Sequence, residues 1–501
     1  MCTQHHPHQN TSGLLLLIFS LFCSVSAAQD LQSFEEKTTV HMLENGWTFI
    51  IVERPVAPVF SFATYVDVGG AQEVTGITGL AHMFEHMAFK GTPKIGTTDF
   101  EAEKKALEEM EKAYQAYQNA RLAPRSDTES IEQFFAAFKE KEEAAARYVV
   151  ANEFDEIISR AGGVGLNAGT GADLTIYFYS LPANKTELFA YLESERFLRP
   201  VFREFYKERD VVQEERRMRY ESQPTGRLVE RFVNAAFTAH PYHHLPIGYM
   251  SDLQSLTITD AEQFFRTYYV PSNMVTAVVG DVESEKLIPL LEKYFSRIPA
   301  GPEPPHLRTK EPPQTAKKQV ILEEASQPYY LEGYHKPAVI DADQPVYDAI
   351  DDIMSTGRTS RLYRALVRDK KLAVAVQSFS GFPGNKYPNL WAIFAVPARS
   401  IANEQVQKAI HAEIERLRSE PVTDEELQKF KTRAKANLIR SLGSNSGLAE
   451  QLTTYHTLFG DWRELFRYLE RLEKVTKEDI QRVANEVFTE TNRTVGMVVT
   501  K

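Results

Sequence analysis

The feature that most constrains this chain is a unit that occurs twice, 219 positions apart. Thr257-Ile-Thr-Asp260 opens a helical stretch through Phe264 and Tyr268, reaches Asn273 and ends in the apolar run 275–279. Thr476-Lys-Glu-Asp479 opens a second through Val483 and Val487, reaches Asn492 and ends in the run 494–499. Each Thr/Asp start is a helix N-cap signal, and each closing run is rich in the β-branched residues of strands. Two independent helix-to-strand units meeting by coincidence are the alternative to an internal duplication. At 501 residues the chain has room for two to four domains, and residues 300–314, AGPEPPHLRTKEPPQ, form a Pro-rich semi-rigid linker between two comparable halves.

Within each half, strands precede helices and strands return. Residues 38–52 and 59–68 read as two strands joined by a turn at Arg54-Pro-Val-Ala-Pro58, residues 79–90 as a helix, 177–181 as a strand after the bend at Gly162-Gly163, and 186–197 and 207–221 as helices. The irregular alternation predicts an α+β fold, helices packed on mainly antiparallel sheets. Residues 100–119 and 130–150 are Ala/Glu/Lys-rich at helical spacing and broken at 122–127, which predicts an inserted helical hairpin projecting from or lying over the first domain.

Composition narrows the class. With 43% hydrophobic and 25% charged residues the chain is globular, and a formal charge of -11 argues against a general nucleic-acid binder. The only cysteines, Cys2 and Cys23, fall within residues 1–28, where the run 13–28 has the short apolar core and small-residue end of a cleaved secretory signal. Removal would leave a thiol-free chain suited to an oxidising compartment, which predicts a periplasmic location. No later run approaches the length of a membrane span.

The chemistry concentrates in Gly79-Leu-Ala-His82-Met-Phe-Glu85-His86-Met-Ala-Phe-Lys90. On a helix His82 and His86 are i and i+4, so both imidazoles can meet one metal ion, and Glu85 lies beside them, placed to accept a proton from water. A pair of hydrogen-bonded helix histidines would give the same pattern, so the motif alone is suggestive. The His-x-x-Glu-His order resembles the pitrilysin/insulinase metallopeptidases, peptidase family M16, of the two-domain processing-peptidase type. Glu208-Arg-Asp-Val-Val-Gln-Glu214-Glu215 resembles that family's later Glu stretch. The resemblance implies one Zn2+ per chain on His82, His86 and Glu215, Glu85 as general base and Glu208 as a supporting carboxylate.

The likeness spans nearly the whole chain after the signal. It implies two homologous domains, 29–299 catalytic and 317–501 non-catalytic, separated by a linker 300–316 and forming a clam-shell chamber that admits unfolded peptides. Asn167-Ala-Gly-Thr170 with Tyr177 resembles the family's substrate-docking edge strand, which points to Asn167, Ala168 and Tyr177 as substrate contacts. His240, His243 and His244 read as a structural loop, since no further ligand is spaced to complete a second site.

Two departures qualify the resemblance. Arg368 matches a substrate-contacting Arg of the second domain, but the Tyr expected after it is missing and Val374 stands in that region. This leaves room for a homodimer or heterodimer that supplies the contact, and for a non-proteolytic scaffold or peptide-binding subunit. The spacing from His86 to Glu215 exceeds the family's by about 50 residues, the length of the hairpin.

Overall fold

A computed structural model describes residues 31–124 and 127–501. The signal-like segment and both cysteines lie outside the described residues. Five strands of the first half and a preceding short one form a sheet: β1 (Thr38–Met42), β2 (Thr48–Glu53), β3 (Val59–Val66), β4 (Val164–Thr170), β5 (Thr175–Pro182) and β6 (Met274–Gly280), in the order β1-β2-β6-β3-β5-β4. The second half gives β7 (Lys318–Glu324), β8 (Tyr329–Lys336), β9 (Ala373–Phe382), β10 (Asn389–Pro397) and β11 (Arg493–Thr500), in the order β7-β11-β8-β10-β9.

Without β1 the two orders coincide strand for strand, down to one parallel pair in each sheet, β2 with β6 and β7 with β11. The repeated residues have repeated jobs. Thr257 with Asp260 and Thr476 with Asp479 both close capping boxes. The Asn273 amide donates to Tyr268 O and to Asp67 O just after β3; the Asn492 amide donates to Val487 O and to His335 O in β8. The duplication is therefore structural, and the fold is α+β as expected.

Two details differ from the expectation. Residues 38–52 are a hairpin rather than one strand: the chain turns at Gly46, whose φ of 98° favours glycine, with the Asn45 side chain accepting from Trp47 N. And β2 and β3 are not neighbours, because β6 (Met274–Gly280) arrives from far downstream and pairs with both.

The halves exchange helices. Helix Pro224–Ala236, from the first half, packs on the second sheet; Gly333 of β8 permits the approach, since a Cβ there would lie 2.9 Å from the Phe232 ring. Helix Asn445–Phe459, from the second half, covers the first sheet, where Leu448, Ala449 and Leu452 join Trp462 and Leu465 over Ile50, Val52, Ala63, Ala277 and Val279.

The insertion is two antiparallel helices, Phe100–Leu122 and Thr128–Ala146, capped by Asp99 and Asp127. Its base is closed by a bridge between Thr97 and Val149, so the excursion leaves and returns at one place. It lies over the first half: Tyr114 and Phe138 pack on Tyr206 at the start of helix Phe205–Arg216, with ring centroids 3.9 and 5.1 Å apart.

Candidate metal centre

Helix Leu80–Met87 carries the motif. It buries Leu80, Ala81, Met83, Phe84 and Met87 and leaves His82, Glu85 and His86 on a half-buried edge. Its start is held by Glu73, whose carboxylate accepts from Gly79 N at 2.9 Å and Ala81 N at 2.7 Å, filling two of the orphan amides of a helix N-terminus. Burial pushes Glu73 up to about 8 against the pull of those amides.

Helix Phe205–Arg216 crosses this edge. Glu215 Oε2 lies 3.8 Å from His82 Nε2 and 3.8 Å from His86 Nε2, and the three form the group of potential metal donors found among the described residues. Two ligands about 2.1 Å from a tetrahedral ion stand about 3.4 Å apart, so a small inward shift closes the set. Two imidazole nitrogens and one carboxylate suit zinc. Burial first, then the charges of His86 and Arg219, lower His82 to about 3, which keeps it an unprotonated donor.

Glu208, two turns before Glu215, takes His86 Nδ1 at 3.4 Å and also pairs with Lys90. Although burial opposes it, these partners hold Glu208 down to about 2. His86 answers in kind: burial would lower it, but Glu208, Glu85 and Glu215 together raise it. Glu85 is raised mainly by burial, with Glu215 adding to the shift, and its Oε2 accepts from Thr170 Oγ1 at 2.5 Å. Arg219 pairs with Glu215 Oε1 at 2.7 Å and leaves Oε2 to face the histidines.

The structure thus brings His82, Glu85, His86, Glu208 and Glu215 together. Asn167 is exposed and Ala168 half-buried on β4, which is an edge strand paired only with β5. Tyr177 is a correction: it is 0% exposed, its hydroxyl meets Tyr269 at 3.0 Å and its ring packs on Phe197, so it has no surface to offer a peptide. Alternation explains the miss, because β5 buries every second residue and Tyr177 falls on the inner set. Arg368 pairs with the adjacent Asp369 and makes no bond to the cluster among the described residues. His240 Nδ1 accepts from Tyr242 N, within a loop.

Thr170, Lys90 and Arg219 were not singled out from the sequence as site residues. Helical spacing could have found two of them, since Lys90 follows His86, and Arg219 follows Glu215, by four residues.

The second half holds a degenerate copy. Helix Gln344–Ser355 contacts edge strand β9 and helix Asp424–Ser441, as the motif helix contacts β4 and helix Phe205–Arg216. It carries Asp348, Asp351 and Asp352 at the spacing of His82, Glu85 and His86. Ser378 of β9 donates to Asp351 at 2.5 Å, as Thr170 does to Glu85. Arg433 grips Asp352 at 2.8 and 3.1 Å, and by the 219-residue offset Ala434 stands where Glu215 does. The three aspartates and Ala434 line a cavity of about 390 Å³. Ala434 offers no carboxylate there, and the positive charge beside the aspartates is the guanidinium of Arg433.

Two family descriptions match the chain, "Insulinase (Peptidase family M16)" over residues 48–146 and "Peptidase M16 inactive domain" over residues 255–434. The chain is similar to zinc protease PqqE of Helicobacter pylori, 31% identical over 498 residues, 97% of this chain and 98% of that one. It is also similar to the mitochondrial-processing peptidase subunit beta of Saccharomyces cerevisiae, 24% identical over 475 residues, 92% and 90% of the two chains. A crystal structure of a protease from Helicobacter pylori matches with a TM-score of 0.77 at 30% identity, covering 92% of this chain and 99% of that one.

Proposed function

The chain belongs to the M16 peptidase family, and from that premise we propose that it is a zinc-dependent metalloendopeptidase acting on unfolded peptides or oligopeptides. The observation that carries this reading is the convergence of His82, His86 and Glu215 with Glu85 alongside. Zinc bound by those three side chains would polarise the scissile carbonyl and acidify water. Thr170 fixes Glu85 Oε2, which leaves Oε1 to take a proton from the attacking water and return it to the leaving amine nitrogen. Glu208 orients His86 from behind, and the free edge of β4 at Asn167 and Ala168 offers an extended peptide a strand to pair with.

The first half, 29–299, is the catalytic domain in this reading, and 317–501 the non-catalytic one. The signal-like segment supports a periplasmic location, and no helix among the described residues is long and apolar enough to cross a membrane.

The test is Glu85→Gln. It should give a folded protein with wild-type zinc content and peptide hydrolysis reduced by 10²-fold or more, while Glu215→Gln should lower zinc content. Equal cleavage by wild type and Glu85→Gln would refute the proposal. A second reading, an enzyme active only with a partner subunit, is favoured by the engagement of Arg368 with Asp369 and by Val374, 63% exposed on β9. Efficient hydrolysis by a sample containing this chain alone would exclude it.

A further inference from the structure

Between β4 and β5 the chain turns through residues 171–174, starting one residue after Thr170. Asp173 in that turn is 5% exposed, and its carboxylate is engaged by three donors. Oδ1 accepts from the Tyr242 hydroxyl at 2.5 Å. Oδ2 accepts from the backbone N of Asn385 at 2.6 Å and of Lys386 at 3.0 Å, both in the turn between β9 and β10 of the second half. Lys386 Nζ reaches Asp67, the residue after β3, at 2.5 Å, and Tyr387 N donates to the Tyr242 hydroxyl at 3.2 Å. The fit is close: a Cβ on Gly384 would come within 2.4 Å of Asp173 Oδ2 and 2.5 Å of the Tyr242 hydroxyl.

β4 has no strand on its outer side, and its pairing with β5 shifts register between Val164 and Asn167. Its Thr170 end stays in register opposite Thr175 and leads directly into the turn, so the position of the turn bears on that of Thr170. On the first-half side that turn is tied by Gly70 N to Gly171 O at 3.1 Å and Ala71 N to Ala172 O at 2.8 Å. Within the turn Gly171 N donates to Leu174 O at 2.9 Å, and the other ties run through Asp173 to Tyr242 and to the second half.

We propose that the β9–β10 turn of the non-catalytic half, itself anchored to the first half by Lys386 Nζ on Asp67, braces the β4–β5 turn through Asp173 and so holds Thr170 on the general base Glu85. Asp173 and Lys386 are positioning residues that act through Thr170. The half without a metal motif is on this account a working part of the catalytic apparatus. The inference rests on the peptidase reading above.

The experiment compares wild type, Asp173→Asn, Lys386→Met, Thr170→Val and the double variant Thr170→Val/Lys386→Met. It measures kcat and KM on an unfolded peptide, zinc per chain, and amide hydrogen exchange over residues 164–175. Asp173→Asn and Lys386→Met should speed exchange in that segment and lower kcat about 10-fold, with zinc content unchanged. Thr170→Val should lower kcat comparably, and the double variant should be no slower than Thr170→Val alone, because both changes act through one contact. Lys386 is only half-buried, its side chain 26% exposed, so its variant carries the test if Asp173→Asn does not fold. Multiplying effects in the double variant, or faster exchange with unchanged kcat, would overturn the link to Glu85. Unchanged exchange in both brace variants would overturn the brace. Absence of cleavage by wild type would instead sink the peptidase reading.

Discussion

His82 and Glu208 are shifted so that each keeps the form in which it can serve the centre. His82, lowered to about 3 by burial and then by His86 and Arg219, stays neutral when the unfolded chain would already be protonated. Below about 6.5 the unfolded state binds a proton at His82 that the folded state refuses until about 3, so stability falls with pH across that window. The slope is at most about 1.4 kcal/mol per pH unit for one group. His240 and His244, each lowered to about 4 chiefly by burial, act in the same direction, while the raised Glu73 acts in the opposite one. Glu208 contributes stability that is lost only as pH falls from about 4.5 toward about 2, mostly below this window. The difference between wild type and His82→Gln isolates the His82 part. In metal-free protein the urea midpoint of wild type should drop more between pH 7 and pH 5 than that of His82→Gln; equal drops would remove His82 from the account. A second expectation concerns Arg219, which holds Glu215 Oε1. Arg219→Ala should weaken zinc binding about 10-fold, read by competition with a chelator, and an unchanged affinity would show that the pair does not orient the ligand.

Among the elements, the inserted hairpin has a structural duty that its sequence did not announce. Glu103 on its first helix is 0% exposed and grips Arg203 at 2.7 and 3.0 Å. Arg203 also donates to the carbonyls of Lys90, Thr92 and Ile95, the segment that follows the motif helix. One buried ion pair thus ties the hairpin to the ends of both helices that carry the candidate ligands. Glu103→Ala would leave the guanidinium without its counter-charge and should cost about 3–5 kcal/mol, measured as a fall in the urea midpoint; a loss below about 1 kcal/mol would mean that the backbone carbonyls suffice. The hairpin itself was legible because its helices are periodic and begin at Asp99 and Asp127, and the convergence of His82, His86 and Glu215 because the three sit at helical spacings on two helices. What escaped has a common physical cause. The break at Gly46, the insertion of β6 between β2 and β3, the reach of Thr170 to Glu85 and the burial of Tyr177 are decided by contacts between distant segments, which local pattern does not encode. The Asp348, Asp351 and Asp352 copy was hidden for another reason: it keeps the spacing of the motif but none of its residue types.

For the molecule as a whole, the Pro-rich linker suggested two separable units, but the exchanged helices oppose separation. The first sheet lays Ile50, Val52, Ala63, Ala277 and Val279 against Leu448, Leu452, Trp462 and Leu465. The second sheet is covered in turn by helix Pro224–Ala236, whose Leu228 and Phe232 are 0% exposed. Each large apolar side chain left in water forfeits about 1.5–3 kcal/mol, so stripping one cover sheds several such terms against a net stability of about 5–15 kcal/mol for an ordinary domain. Residues 31–314 produced alone should therefore lack a fixed core, with weak near-ultraviolet circular dichroism and no cooperative unfolding transition. Residues 315–501 should behave likewise. Produced together, the two fragments should recover both properties and elute as one species, since the helices and the Asp173 seat supply the contacts that the linker merely keeps close. Cooperative unfolding of the isolated first fragment, with a native near-ultraviolet spectrum, would show that the exchange of helices is dispensable and that the linker joins two self-sufficient domains.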